Sequence, residues 1–310
     1  MTLGGKRILV TGGAGFVGSH LVDKLVTLGN RVTVLDDLST GLRKNVHREA
    51  ELIKGDVRDQ VLTSRLINEA DACFHLAAIA SVQQCNDAWV ESHEVNLGAF
   101  VGLLESSAKR KGGVIPVVYA SSAAIYGDTD VFPVHENLPL HPISAYGADK
   151  AGCELHAHAA GRNGKVPTFG IRPFNIYGPR QQPSSPYSGV ITVFADRLKR
   201  NEGVTIYGDG KQTRDFIYVS DIVEHFIAAL SKASTEAPVC NAATGKETSI
   251  FDVAQKLAKV LGREARITFA PARPGDIYHS VADVKRAQLL LGCSAKVEIS
   301  EGLSFVREDE

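Results

Sequence analysis

Arg7-Ile-Leu-Val-Thr11 passes directly into Gly12-Gly-Ala-Gly-Phe-Val-Gly18 and then into Ser19-His-Leu-Val-Asp-Lys-Leu-Val-Thr-Leu28. A short apolar run, a glycine cluster and an amphipathic run read as strand, turn and helix. Gly13, Gly15 and Gly18 fit G-x-G-x-x-G, and with Gly12 they also fit the wider G-x-x-G-x-x-G. Where Cβ atoms are missing, backbone can approach a pyrophosphate and helix can pack on strand, while the helix N-terminus presents free N–H groups to the anion. A second apolar run, Arg31-Val-Thr-Val-Leu35, ends in Asp36. A carboxylate there accepts hydrogen bonds from ribose hydroxyls and repels a 2′-phosphate, which favours NAD over NADP.

Outward from this unit the alternation continues. Leu52-Ile-Lys54 precedes Gly55-Asp56-Val57, Ala72-Cys-Phe-His75 precedes Leu76-Ala-Ala78, and Val114-Ile-Pro-Val-Val-Tyr119 precedes Ala120-Ser-Ser122. Strands separated by helical segments predict an α/β fold with a doubly wound parallel sheet. Such sheets bind ligands at the carboxyl ends of their strands. That rule puts Asp56 and Val57 near an adenine, Ala77 to Ser81 near pyrophosphate and substrate, and Ser122 near the reactive ring. The segment from Asp87 to Lys111 carries Val95, Phe100, Leu103 and Leu104 at helical spacing, with Asn96 inside it. Further helices are expected at Gly189 to Lys199, at Val219 to Leu230, and at Ser249 to Leu261, the last with a Ser cap and Phe251, Val253, Leu257 and Leu261 on one side.

Tyr146-Gly-Ala-Asp-Lys150 lies in a stretch without proline from Ser144 to Val166. In a helix, Tyr146 and Lys150 stand on one face. An ammonium beside a phenol favours the phenolate, which can trade protons with a substrate hydroxyl. With Ser122 upstream, this is a candidate for alcohol chemistry.

Composition narrows the partners. Thirty-four basic and 35 acidic residues give a net charge of −1, so no overall electrostatic footprint for nucleic acid or an anionic membrane exists and an anionic ligand must be met locally. The five cysteines, Cys73, Cys85, Cys153, Cys240 and Cys293, include no C-x-x-C pair. A disulfide framework or a metal site is therefore not expected, and they read as small buried side chains. With no apolar run of membrane length and no leader at Met1, the expectation is the cytoplasm.

Thr11-Gly-Gly-Ala-Gly-Phe-Val-Gly18, Asp36, Gly55-Asp56, His75-Leu-Ala-Ala78, Ser121-Ser122 with Ile125-Tyr126-Gly127, and Tyr146 with Lys150 together resemble an extended short-chain dehydrogenase/reductase. Arg172-Pro-Phe-Asn175-Ile-Tyr-Gly178, Tyr207-Gly-Asp-Gly210, Arg214-Asp-Phe, Val219-Ser-Asp221 and Arg273-Pro-Gly-Asp276 resemble the nucleotide-sugar branch, especially UDP-hexose 4-epimerases. The resemblance implies NAD as cofactor, held by Gly12, Gly15, Phe16, Val17, Gly18, Asp36, Asp37, Asp56, Val57, Leu76, Ala77, Ala78, Asn96, Tyr146, Lys150 and Pro173. It implies a UDP-sugar substrate met by Ser81, Ser122, Asn175, Val190, Tyr207, Arg214, Arg273, Asp276 and Ser280. Arg214 and Arg273 would be the phosphate-binding arginines, since guanidinium forks suit diphosphate oxygens. Ser280, seven residues after Arg273, would gate the space beside the sugar C2 substituent. Relatives pair through two helices, here Asp87 to Lys111 and Tyr146 to Asn163, so a homodimer is expected.

The same resemblance ranks the reactions. Sugar dehydratases of this superfamily carry Asp-Glu directly after the serine position, and decarboxylases carry Glu at the second of those places. This chain has Ala123 and Ala124. Methyl groups cannot transfer protons, so 4-epimerisation through a transient 4-keto sugar is expected, with Ser122, Tyr146 and Lys150 catalytic. UDP-glucuronate epimerisation, another nucleotide-sugar oxidoreductase, a dehydratase and a non-catalytic NAD-binding regulator are the alternatives. Residues 1–175 are expected to form the NAD-binding Rossmann domain, with later segments returning to it. Residues 176–310 would mainly form a smaller α/β lobe for the UDP-sugar. The stretch Pro179-Arg-Gln-Gln-Pro183-Ser-Ser-Pro186 reads as a loop.

Overall fold

A computed structural model describes residues 4–182, 189–272 and 277–305 of the chain. Seven parallel strands form the central sheet: β1 (Arg7–Thr11), β2 (Arg31–Asp36), β3 (Glu51–Lys54), β4 (Ala72–His75), β5 (Val117–Ala120), β6 (Thr168–Pro173) and β11 (Val239–Ala242). Their order across the sheet is β3-β2-β1-β4-β5-β6-β11. The order reverses beside β1, so the crevice at the topological switch point opens over the glycine turn that follows it. The fold is α/β, a doubly wound Rossmann-like sheet.

Helices cover both faces. On one side α1 (Phe16–Thr27) and α8 (Val219–Leu230) pack together, and Leu21, Leu25, Ile222 and Phe226 join Ile8, Val10, Phe74 and Phe169 in one core. On the other, α2 (Gln60–Glu69), α5 (Ala99–Ala108) and α6 (Ala145–Gly164) bury Leu66, Phe100, Leu103, Cys153 and Ala157 against Leu9, Cys73 and Tyr119. Alternate side chains of each strand thus reach opposite cores, which is why these strands read as nearly continuous apolar runs.

After β6 the chain builds a second group of elements. The parallel pair β7 (Asn175–Tyr177) and β10 (Phe216–Tyr218) adjoins the sheet's carboxyl end. The pair β8 (Val204–Tyr207) and β13 (Ile267–Ala270), the short pair β9 (Thr213–Arg214) and β12 (Thr248–Ser249), and helices α7 (Val190–Lys199), α9 (Ile250–Leu261) and α11 (Ile299–Phe305) enclose a separate core around Phe194, Leu198, Ile206, Val253 and Leu257. Between α8 and α9 the chain returns to the sheet to supply β11, and α10 (Lys285–Leu291) packs beside it. Among the described residues no helix is long and apolar enough to cross a membrane.

Four expectations shift in detail. The strand expected from Val114 begins only at Val117, because Pro116 has no N–H to give and uses its carbonyl to accept from Cys73 N at 3.0 Å. The single helix expected from Asp87 to Lys111 is three pieces, α4 (Trp89–His93), a π turn over Glu94–Gly98, and α5, preceded by α3 (Val82–Asp87). Ser249 does cap α9, accepting from Asp252 N at 3.0 Å, but the buried face is Ile250, Val253, Ala254, Leu257 and Ala258. Phe251 lies outside it, with its Cβ close to where Gly210 leaves room. Four cysteines are buried and free, whereas Cys293 is half-buried.

Candidate active site

The turn after β1 is shaped by two close approaches. Gly12 has φ +71°, and a Cβ on it would come within 2.6 Å of Ala77 N, so the turn presses against the start of the β4 loop. A Cβ on Gly18 would collide with the Gly12 carbonyl, so α1 starts directly on the turn. The N-cap of α1 is Gly15, which offers no side-chain cap, and its first turn holds no acidic residue. The first N–H groups of α1 are thus left for an anion, as a pyrophosphate site requires. At the end of β2, Asp36 accepts from Ala14 N and Leu38 N, each at 2.9 Å. Burial pushes its carboxyl above the usual range, against the pull of these two bonds.

The other strand ends converge on the same cleft, which has a volume of about 1520 Å³. Asp37, whose carboxylate accepts from Ser39 N at 2.9 Å, lines it beside Asp36. Asp56 and Val57 line it after β3, with Asp56 held below the usual carboxylate range by the side-chain hydrogen bond from Arg58. Phe16, Val17, Leu76, Ala77, Ala78 and Pro173 complete this half of the wall. Ala77 N donates to Thr11 Oγ1 at 3.3 Å, tying the β4 loop to β1.

Ser122, Tyr146 and Lys150 face the middle of the cleft. Ser122 follows β5 and accepts from Ala124 N at 3.1 Å, opening the tight turn Ala123–Tyr126. Ser144 caps α6 by accepting from Gly147 N at 3.1 Å, which places Tyr146 in the first helical turn. A Cβ on Gly147 would lie 2.6 Å from Ala124 O, so the bare glycine lets the helix meet the serine turn. Lys150 is buried, donates from Nζ to Ala120 O at 2.9 Å, and keeps that nitrogen 5.7 Å from the Tyr146 ring centre. Serine, phenol and ammonium therefore share one site, with only the methyls of Ala123 and Ala124 following the serine.

Asn175, Val190, Tyr207, Arg214 and Ser280 line the far half of the cleft. Asn175 Nδ2 donates to Asp215 O at 3.2 Å, and Arg214 Nη1 to Thr213 O at 2.8 Å. Arg273 and Asp276 lie outside the described residues, as does the Pro183-Ser-Ser-Pro186 part of the expected loop.

Two expected ligand residues sit elsewhere. Asn96 is fully buried in the π turn, where Oδ1 accepts from Ile79 N at 2.8 Å and Nδ2 donates to Ile79 O at 3.1 Å. Both faces of its amide are spent on holding the β4 loop, so it shapes the cleft wall without lining it. Ser81 is buried as the N-cap of α3, accepting from Gln84 N at 3.0 Å. Sequence reasoning also missed several cleft residues, among them Gln212, Arg180 and Gln182. Arg180 Nη2 donates to Asp23 Oδ2 at 2.7 Å and Gln182 Nε2 to Thr40 O at 3.0 Å, lashing the segment after β7 to α1 and the β2 loop. For Arg180 and Gln182 the signal was the proline-rich loop that begins at Pro179; Gln212 had none in its neighbours.

A glycine turn under an uncapped helix N-terminus, an acid at the end of the next strand and a phenol–ammonium pair are the features of a dinucleotide-dependent enzyme of the short-chain dehydrogenase/reductase type. The profile of the NAD dependent epimerase/dehydratase family matches residues 8–243, and the chain belongs to that family, whose cofactor is NAD. It is similar to a UDP-glucose 4-epimerase of Mycolicibacterium smegmatis, 36% identical over 305 residues that cover 96% of each chain. UDP-glucuronic acid decarboxylase 1 of Xenopus tropicalis is 35% identical over 309 residues, 96% of this chain and 70% of its own. Among solved structures, UDP-glucose 4-epimerase of Thermotoga maritima with UDP-glucose superposes with a TM-score of 0.93 at 36% identity, covering 97% of both chains. UDP-N-acetylglucosamine 4-epimerase from Methanobrevibacter ruminantium M1, in complex with UDP-N-acetylmuramic acid, gives a TM-score of 0.93 at 33% identity over 98% of both.

Proposed function

We propose that the protein is a UDP-hexose 4-epimerase that works through a transient 4-keto sugar. The observation that carries the reading is the meeting of Ser122, Tyr146 and Lys150 in one cleft with the NAD cradle, next to Ala123 and Ala124. Tyr146 takes the proton of the sugar C4 hydroxyl, and Ser122 shares that hydrogen bond. Lys150 places positive charge where the phenolate forms and would bind the nicotinamide ribose hydroxyls. NAD, when bound in the glycine-turn cradle, would supply the hydride acceptor and donor for C4, while Tyr146 holds and gives back the C4 hydroxyl proton. Arg214 and Asn175 would hold the diphosphate end meanwhile, together with Arg273. A sugar-nucleotide decarboxylase is the second reading, favoured by the similarity to the Xenopus enzyme. Against it, the two residues after Ser122 bear no group that transfers a proton.

The test is incubation of the purified protein with UDP-glucose and UDP-galactose, and separately with UDP-glucuronate, without added NAD. Interconversion of the hexoses with no net NADH and no loss of CO₂ is expected. Release of CO₂ would establish the decarboxylase reading instead. Tyr146→Phe should retain NAD and lose turnover by about 10² or more, the usual scale for a positioned proton-transfer group. A Phe variant with wild-type turnover would remove Tyr146 from the mechanism.

Ser280 sets the substrate range in this reading. Its side chain lines the cleft and is small enough to leave room for an N-acetyl group at C2, with a hydroxyl able to hydrogen-bond the amide. UDP-GlcNAc and UDP-GalNAc should interconvert alongside UDP-glucose and UDP-galactose. Ser280→Tyr should abolish kcat/KM for the acetylated pair and spare the other. Equal losses for both pairs would refute the gate.

A further inference from the structure

We infer that Glu154 and Arg172 form a positioning clamp that sets the Ser122 turn against the helix carrying Tyr146 and Lys150. The inference rests on the catalytic reading of those three residues and concerns two others that do not line the cleft.

Tyr146, Lys150 and Glu154 recur at four-residue intervals along α6 and so share one face. Both Glu154 carboxylate oxygens are engaged. Oε1 accepts from Ser121 Oγ at 2.5 Å and from Arg172 Nε at 2.8 Å, and Oε2 accepts from Arg172 Nη2 at 2.6 Å. The remaining guanidinium nitrogen, Nη1, donates to Tyr126 OH at 2.7 Å and to Glu136 O at 3.3 Å. Tyr126 OH in turn donates to Asn241 Oδ1 at 2.6 Å.

These bonds bracket the catalytic serine. Ser121 precedes Ser122, and Tyr126 ends the turn that Ser122 opens. One side is tied to α6 through Glu154, and the other is tied to β6 and β11 through Arg172 and Asn241. Lys150 adds a third tie by donating to Ala120 O on the same strand end. Side-chain exposures of 4% for Arg172 and 8% for Glu154 place the ion pair in the interior. Buried pairs of this kind are weak contributors to stability, because well-packed apolar residues often serve as well. What the pair supplies is direction: a planar fork engages the carboxylate with two nitrogens and sends its third to a phenol, which no apolar pair can do. Proton transfer from a sugar hydroxyl shared by Ser122 and Tyr146 depends on the distance between the two elements that carry them, and small misplacements there slow chemistry steeply.

The experiment compares Glu154→Gln, Arg172→Lys, Ser121→Ala and Tyr146→Phe with the unchanged protein, measuring kcat, KM for UDP-glucose, retained NAD and melting temperature. Glu154→Gln should lower kcat about tenfold or more while KM and retained NAD stay within about twofold. Arg172→Lys keeps the charge but cannot span Glu154 and Tyr126, so it should fall as far. Ser121→Ala removes a single hydroxyl while Glu154 Oε1 keeps its bond from Arg172 Nε, so it should fold and lose about threefold in kcat with KM unchanged. Folded Glu154→Gln and Ser121→Ala proteins with wild-type kcat, whatever their melting temperatures, would overturn the clamp. If Tyr146→Phe is inactive in the same series, the catalytic reading survives that result. If Tyr146→Phe is fully active, the reading beneath the clamp fails with it.

Discussion

His75 closes β4 with its ring buried between Phe100, stacked at 5.3 Å between centroids, and Thr11, whose Oγ1 is 2.8 Å from Nδ1. Its Nε2 has no hydrogen-bond partner among the described residues. Burial, reinforced by the Lys150 charge, pushes the ring's pKa down to about 3 from an ordinary 6.5. The folded protein therefore holds a neutral imidazole where the unfolded chain binds a proton. Stability from this group is complete above pH 6.5 and is lost as pH falls towards 3, at a slope of up to about 1.4 kcal/mol per pH unit. His75→Gln should flatten the dependence of the urea midpoint between pH 7 and pH 5. Some slope will remain, because burial lowers His225 in the same direction. An unchanged slope would show that His75 does not carry the effect. At this scale the sequence was informative wherever chemistry and spacing are local. Asp36 ends its strand and Tyr146 stands one turn from Lys150, so both could be placed from a few neighbours. Ser81 could not, since an N-cap and a ligand contact ask for the same side chain and only the helix that follows decides. Glu154 was within reach, as the next residue on the stripe of Tyr146 and Lys150.

Helical periodicity announced the segment after Asp87 but not its break. Apolar spacing is blind to a single extra residue per turn, and the π turn over Glu94–Gly98 supplies that residue where Asn96 must reach Ile79. Asn96→Ala would leave Ile79 N–H and C=O without their partners inside the protein. A loss of about 2 kcal/mol or more is expected by denaturant unfolding, since each of the two orphaned groups carries a desolvation penalty of about 1–3 kcal/mol. Retained NAD should fall with it, because the loop so held includes Ala77 and Ala78, which line the cleft beside the glycine turn. A variant of undiminished stability and NAD content would show that the loop stands without this amide. By contrast, α8 matches its expected limits of Val219 and Leu230, and α7 begins one residue inside Gly189. Those helices pack a regular apolar stripe, Ile191, Phe194, Ala195 and Leu198 on α7 and Ile222, Val223, Phe226, Ala229 and Leu230 on α8.

The surface around α4 and α6 bears on assembly. The two helices pack together, and Trp89, Val90 and Leu155 on them are 66%, 75% and 67% exposed. Large apolar side chains in that number on adjoining helices suit a second copy meeting the same surface about a two-fold axis. We propose a homodimer through this face. Light scattering at micromolar concentration should give twice the chain mass of 33.2 kDa, and Trp89→Asp with Leu155→Asp should give the monomer. A monomeric mass for the unchanged protein would dispose of the proposal.

The strand order sets a timetable for synthesis. β6 is the sixth strand of the sheet in both sequence and position, but its outer neighbour, β11, is not made until residues 239–242. Until then Phe169 and Ile171 lie in a strand with one row of backbone groups unpaired, and Ile222 and Phe226 of α8, which cover one face of that region, are also still to come. A nascent chain paused on the ribosome after β7 therefore presents an open, apolar sheet edge of the kind that captures other chains. The half of the protein that holds the glycine turn and the helix of Tyr146 and Lys150 is translated first, but it has to wait for the second half before it can close.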